Sequence, residues 1–213
     1  DNAFDMVYNW PLLFMLDNIC KGINKVSDLR ELVVKQQSDL APDAYYMNHI
    51  TNHDRNTWDG TEFERYGAAV KSFAALTYVW PGMPLIYTGQ EVGMNRRLEF
   101  FVKDTPYTKE KNEWFAFYQS LNELKHNSKA LRAGDEGGKT VVYKTTEPNV
   151  FVLSRELGEE NIVYIANISD KEVKFHFEAE APQGEFENFF TKEKVLLPAA
   201  FKLAPWDFLL LTK

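Results

Sequence analysis

The stretch Tyr45-Tyr46-Met47-Asn48-His49-Ile50-Thr51-Asn52-His53-Asp54 runs an apolar segment straight into a cluster of ligand-type side chains. Tyr45 to Ile50 reads as a strand. His49, His53 and Asp54 are the densest group of chemistry-bearing residues in the sequence. In a parallel α/β sheet, residues just past the carboxyl end of a strand face the site. The fold therefore turns on what flanks this strand.

On its N-terminal side, Ala3 to Tyr8 reads as another strand. Pro11 suits a first helical turn, Leu12, Leu13, Met15, Leu16 and Ile19 follow, and Gly22 suits the residue just past the end. Ser27 is the expected cap of a second helix carrying Leu29, Leu32 and Val33. On the C-terminal side, Thr61 and Glu64 form a capping box. Its helix is expected to run to about Trp80, where Pro81-Gly82 stops it. Pro84 to Tyr87 reads as a short buried strand, and Asn112 to about Lys129 as a helix with Trp114, Phe115, Phe117, Tyr118, Leu121 and Leu124 inward. Strand, helix, strand, helix, strand, helix is the order that builds parallel sheets.

After Gly134-Asp135-Glu136-Gly137-Gly138 the period becomes two. Segments near 139–143, 149–155, 161–168, 172–178, 185–190 and 207–211 read as strands separated by turn signals such as Glu147-Pro148-Asn149 and Ser169-Asp170-Lys171. Short strands at this spacing predict an antiparallel sandwich. Glu159-Glu160 and Lys192-Glu193-Lys194 read as solvated loop charges.

Composition narrows the function. The 213 residues carry a net charge of -7 with no long single-sign run, which argues against a nucleic-acid partner. No apolar run reaches the length of a membrane span. Cys20 is the one cysteine, which excludes an internal disulfide and a cysteine-based zinc site. Asp1-Asn2-Ala3-Phe4-Asp5 lacks the basic start and apolar core of a signal peptide. Aromatics make up 15%, enough for a thick core or a sugar-stacking surface.

Three readings of the polar cluster compete. A structural one has these residues capping a loop or helix. A metal one uses His49 and His53 at i, i+4, but that spacing serves a helix and Ile50 stands where a metalloprotease needs its Glu. The third is a sugar site, and it rests on a resemblance. Thr51-Asn52-His53-Asp54 is similar to the fourth conserved region of the α-amylase family of glycoside hydrolases. Gly82-Met83-Pro84-Leu85-Ile86-Tyr87-Thr88-Gly89-Gln90-Glu91-Val92-Gly93 resembles that family's eighth barrel strand, and Phe4-Asp5-Met6-Val7-Tyr8-Asn9-Trp10 its sixth.

The resemblance implies a partial (β/α)8 TIM barrel, strands six to eight, over residues 1–132, then an antiparallel β-sandwich domain over 133–213. Asp54 would stabilise the transition state and His53 would hydrogen-bond the same sugar. Asn52 would support both. Arg55, Trp58, Tyr8 and Trp10 are further substrate-binding candidates, with core packing the competing role for Tyr8, Trp10 and Trp58. Gln90 and Glu91 read as structural, satisfying loop backbone groups. The nucleophile and general acid of a retaining glycosidase follow the fourth and fifth strands in this family, so both are expected upstream. Calcium is expected in the full-length parent and no metal in this chain. The implied partner is an α-glucan oligosaccharide or polysaccharide, and polymeric starch would place the enzyme outside the cytoplasm. Residue 1 stands directly before a strand, which points to strands upstream and predicts self-association through open barrel edges. A non-catalytic amylase-like protein that binds carbohydrate or a partner is the alternative.

Overall fold

The computed structural model describes residues 4–105 and 110–213. Asp1, Asn2 and Ala3 lie outside them, and of the first expected strand this takes in only Ala3.

Strand β1 spans Met6–Tyr8 and leads into helix α1, Trp10–Cys20. The Asn9 side chain caps α1 by accepting from the Leu12 amide at 3.1 Å, Pro11 occupies the first turn, and Gly22 lies just past the end at φ 70°. Helix α2 spans Val26–Gln36. It begins one residue before Ser27, which is therefore not its cap. The Asp28 carboxylate reaches back to the Lys25 amide at 2.9 Å and to Asn24 at 2.8 Å, and this fixes the start.

Strand β2 spans Tyr45–Asn48 and ends two residues short of the expected Ile50. A short helix that the sequence pattern does not predict, α3, follows over His53–Trp58. The Thr61–Glu64 capping box is present, with the Glu64 amide on Thr61 Oγ1 at 3.2 Å and the Thr61 amide on Glu64 Oε2 at 2.7 Å. The helix it opens is broken. Helix α4 spans Glu62–Tyr66, a 3-10 turn covers Gly67–Ala69, and α5 spans Val70–Val79. Gly67 adopts φ 54°, a conformation open to glycine, and that interrupts the helix.

Strand β3 is only Met83–Pro84, although the Leu85 amide still donates to Asn48 O at 2.8 Å. It is not buried as expected: Met83 is exposed and residues 84–87 are half-buried. It pairs with β2 alone, so its other edge has no strand on it among the described residues. Strands β1, β2 and β3 form a parallel sheet in that order, with no closed barrel. Helix α6, Glu113–Asn127, is capped by Asn112, whose side chain accepts from Trp114 at 3.0 Å and Phe115 at 3.2 Å.

The remaining strands are β4 (Lys139–Tyr143), β5 (Val150–Leu157), β6 (Glu160–Asn167), β7 (Val173–Phe175), β8 (Gly184–Asn188), β9 (Lys194–Leu197), β10 (Phe201–Leu203) and β11 (Phe208–Thr212). Six of them form one antiparallel sheet in the order β4-β5-β6-β11-β8-β9, and β7 and β10 form a separate pair. The sandwich is thus unequal. One face of β5 and β6, through Phe151, Leu153, Tyr164 and Ala166, joins a core with α2 and α5. The other face, through Val150, Val152, Val163 and Ile165, packs with β7 and β10. Strands covered on both faces carry continuous apolar runs rather than alternation. Lys194, expected in a loop, lies in β9 and pairs with Glu185 at 2.6 Å.

The two sheets' layers meet in one shared core. Phe73, Leu76, Val79 and Trp80 of the α5 segment are fully buried against the antiparallel sheet. Each such side chain contributes about 1.5–3 kcal/mol. Among the described residues no helix is long and apolar enough to cross a membrane.

Candidate functional site

Three buried amides fix the carboxyl end of β2. Asn48 Nδ2 donates to the carbonyls of Thr77 and Trp80, each at 3.2 Å, and its oxygen accepts from Asn9 at 2.8 Å. Gln36 donates to Asn9 Oδ1 at 2.7 Å and accepts from the Trp80 indole at 2.8 Å. These bonds tie β1, β2, α2 and α5 together. A buried polar network holds geometry only when its members are satisfied, and these are. Gly82 completes the junction at φ 125°, where an added Cβ would stand 2.1 Å from Tyr46 O.

The next layer is ionic. Asp17, buried on α1, takes Arg65 Nη1 at 2.8 Å and a short contact from Arg55 Nη2. Arg65 and the Tyr66 hydroxyl, at 3.1 Å, both donate to Ile50 O. The chain is therefore clamped on both sides of His49.

From that clamp Asn52 starts α3. Its Oδ1 accepts from the Arg55 amide at 2.9 Å, the bond of a helix cap. Its Nδ2 meets His49 Nε2 at 3.2 Å, while His49 Nδ1 faces Met47 O at 3.2 Å. A carbonyl can only accept, so Nδ1 carries the proton and Nε2 accepts from Asn52. Burial pushes His49 below the ordinary histidine range, which keeps the ring neutral. Both of its nitrogens are engaged inside the protein, so it has none left for a metal. Among the described residues no group of three or more His, Cys, Asp or Glu side chains stands together as a metal site.

His53 and Asp54 occupy the first turn of α3 and point outward. Their side chains are 55% and 50% exposed, and His53 Nε2 lies 3.5 Å from Asp54 Oδ1. Arg55 is turned the other way. Its guanidinium is shared by Asp17 and by Asp59 at 2.7 Å and lies over the Phe14 ring at 5.4 Å. That engagement makes Arg55 a brace for α3. Tyr8 and Trp10 stand edge-on to the His49 ring at 5.3 and 5.5 Å, with Tyr8 38% exposed at the end of β1. Trp58 is exposed and meets Phe100 at 5.5 Å and Phe101 at 6.2 Å. Gln90 accepts from the Tyr87 amide at 3.0 Å and donates to the Tyr118 hydroxyl at 2.7 Å, a structural use of its side chain.

The structure thus brings Tyr8, Trp10 and His49 together, and separately sets His53 beside Asp54, with Trp58 joined to His53 only through the Phe100 ring. Asp17, Arg65, Asn9, Asn48 and Gln36 position them and carry no local sequence signal of that task. Only the isolated charge of Asp17 within the apolar face of α1 could have drawn notice.

No family model matches the sequence, and no curated protein matches it. Solved structures do match. The noncanonic maltogenic α-amylase AmyB from Thermotoga neapolitana superposes with a TM-score of 0.82 at 18% identity, over 99% of this chain and 51% of that one. An α-amylase from Lactobacillus plantarum gives 0.77 at 17% identity, over 99% and 48%. The α-amylase of Geobacillus thermoleovorans, solved with acarbose, gives 0.72 at 14% identity, over 98% and 48%. The chain spans about half the length of these structures, and over that half it has the fold of an α-amylase.

Proposed function

We propose that this chain is the carboxy-terminal part of an α-amylase-type retaining glycoside hydrolase acting on α-glucans. In this reading β1, β2 and β3 are strands six to eight of its barrel, and residues 133–213 form its sandwich domain. The observation that carries the reading is the placement of Asp54 and His53. They stand half in solvent past the carboxyl end of a parallel strand, on a helix that Asn52 caps and Asp17 braces.

The chemistry fits that placement. Glycosidic cleavage passes through an oxocarbenium-like transition state, so a fixed carboxylate is worth most where positive charge develops. Asp54 supplies that charge and grips sugar hydroxyls, while His53 donates to the same ring. The nucleophile and the acid, about 5 Å apart in a retaining enzyme, come from the portion of the parent outside this chain.

The test uses the full-length parent. Asp54→Asn keeps shape and removes charge, and should lower kcat on maltooligosaccharides by about 10²–10³-fold, the loss typical of one preorganised electrostatic group. Undiminished turnover by that variant overturns the assignment. The purified 213-residue chain should show no hydrolysis, and measured turnover would refute its description as a partial site. A parent that binds maltooligosaccharides without cleaving them would favour the non-catalytic reading.

A further inference from the structure

Beside His53 the protein exposes an aromatic band. Trp58 is 57% exposed, Phe100 43%, Phe101 83% and Val102 64%. The rings adjoin: Phe100 and Phe101 are 4.9 Å apart, Trp58 is 5.5 Å from Phe100, and His53 stacks on Phe100 at 6.5 Å and 28°. Scattered exposed apolar residues need no explanation, but a contiguous group marks a binding surface.

The segment that carries Phe100 and Phe101 is held firmly from below. Asn56 Oδ1 accepts from the Leu98 amide at 2.7 Å, Thr57 Oγ1 donates to Leu98 O at 2.8 Å, and Thr61 Oγ1 meets Asn95 Oδ1 at 2.6 Å. Leu98 itself is buried. Arg96 grips Asp104 with two bonds, 2.8 and 2.9 Å, and the Glu99 amide donates to the same carboxylate at 2.9 Å. The hydrogen bonds from Arg96, and after them the one from the Glu99 amide, lower the Asp104 carboxyl to about 2, so this closure stays ionised in ordinary buffers. The Leu98 backbone and the Asn95 and Arg97 side chains bond to α3 and to the start of α4, while Phe100 and Phe101 turn outward. That arrangement preorganises the rings rather than hiding them.

We propose that Trp58, Phe100 and Phe101 form a stacking platform for the sugar rings of an α-glucan next to the unit held by His53 and Asp54. This rests on the α-glucan reading of that site. The occupant follows from chemistry and position. A pyranose presents an apolar C–H face and a polar edge, and the band presents flat rings bordered by His53, Asp54 and the half-exposed Asp59. The platform is continuous with the candidate site through the His53–Phe100 stack. A chain of sugar units lying across both would meet the rings with its faces and the carboxylates with its hydroxyls.

The 213-residue chain and its variants can be titrated with maltoheptaose by isothermal titration calorimetry, with the indole N–H resonance of Trp58 followed where that ring is present and light scattering on the same samples. The expected result is movement of that resonance and a Kd weakened about tenfold in both Phe101→Ala and Trp58→Ala. Phe101→Ala should keep the wild-type melting temperature, because its ring is mostly in solvent. Equal affinity in wild type and both variants overturns the platform while leaving glucan binding intact. A response to cellohexaose but not maltoheptaose retains a stacking surface and overturns the α-glucan reading. A wild-type dimer that Phe101→Ala dissociates overturns the proposal in favour of a second copy, and no response to either sugar overturns platform and reading together.

Discussion

The two sheets are built on opposite economies. Strands β1 to β3 are two to four residues long and half-exposed, yet polar groups around them are deeply buried: Asn9, Asp17, Asn48, His49 and Asn52. Strands β5 and β6 are eight residues each, buried almost end to end, and apolar on both faces. Apolar burial is strong but non-directional. Hydrogen bonds and ion pairs are directional, and so they can aim a side chain. The parallel sheet therefore uses polar contacts to point His53 and Asp54, and the antiparallel sheet supplies bulk that holds the layer in place.

Asp17→Asn is the sharpest way to break this division. It leaves Arg55 and Arg65, both mostly buried, short of a carboxylate. Breaking a buried pair from one side costs about 3–5 kcal/mol. The lower end applies because Arg55 keeps Asp59 and Arg65 keeps Ile50 O. Denaturant unfolding should show a lower midpoint with an unchanged slope. The His53 ring resonances should shift, while residues of β5 and β6 keep their native chemical shifts. An unchanged midpoint would show that the ionic layer does not hold α3.

The seam between the halves holds two cations bonded to backbone carbonyls, the half-buried Lys125 and the buried Arg155. Lys125 Nζ donates to the carbonyls of Gly82 at 2.7 Å, Leu131 at 2.5 Å and Tyr78 at 3.4 Å. Arg155 donates to Gly138 and Arg132, each at 3.1 Å, and to Val79 at 3.3 Å. Burial, with the Arg155 charge adding to it, pushes the Lys125 ammonium down to about 7. The unfolded lysine titrates near ~10.4. Between these values the unfolded chain binds more protons, so this group makes stability rise with pH. Below about 7 both states are protonated and the cost of burying the charge is present in full. The slope cannot exceed about 1.4 kcal/mol per pH unit for one proton. Midpoints measured from pH 6 to 9 should climb above 7 in the wild type and stay flatter in Lys125→Met. Parallel curves would remove Lys125 as the source.

How much of this was readable in the sequence depends on distance along the chain. Asn112, the Thr61–Glu64 box and the Pro11–Gly22 bracket act within four residues or mark helix ends locally, and the sequence reading places them correctly. Ser27 misleads because Asp28, one residue later, makes the better bond to the helix start. Helix α3 is missed because its six residues have no apolar stripe; its face is set by Asn56 and Arg55 bonding to distant partners. Strands β9 and β10 are missed because they are only four and three residues long and a proline, Pro198 or Pro205, follows each closely. His53 and Asp54 stand out as chemistry at a strand end. Asp17, Arg65 and Phe100 do not, because each acquires its role only when segments 38 to 48 residues apart meet.

The smallest effect tests whether the two halves behave as one cooperative unit. The Tyr164 hydroxyl of β6, fully buried, bonds to Ser72 Oγ at 2.7 Å and Ser72 O at 2.9 Å on α5. Tyr164→Phe keeps the ring in the shared core and deletes that polar link, at a cost of about 1 kcal/mol. Ser72→Ala should cost less, because the Tyr164 hydroxyl keeps the carbonyl of residue 72, and the double variant less than the sum, because both changes delete the same hydroxyl pair. If the halves unfold together, tryptophan fluorescence and far-ultraviolet circular dichroism will move to the same lower midpoint in Tyr164→Phe. If they separate, the fluorescence midpoint falls alone, since four of the five tryptophans lie in residues 10–114. The apolar seam joining α5 to β5 and β6 is continuous across that bond. A single transition is therefore the expected outcome, and it would mean that the bulk of the antiparallel sheet stabilises the layer from which Asp54 projects.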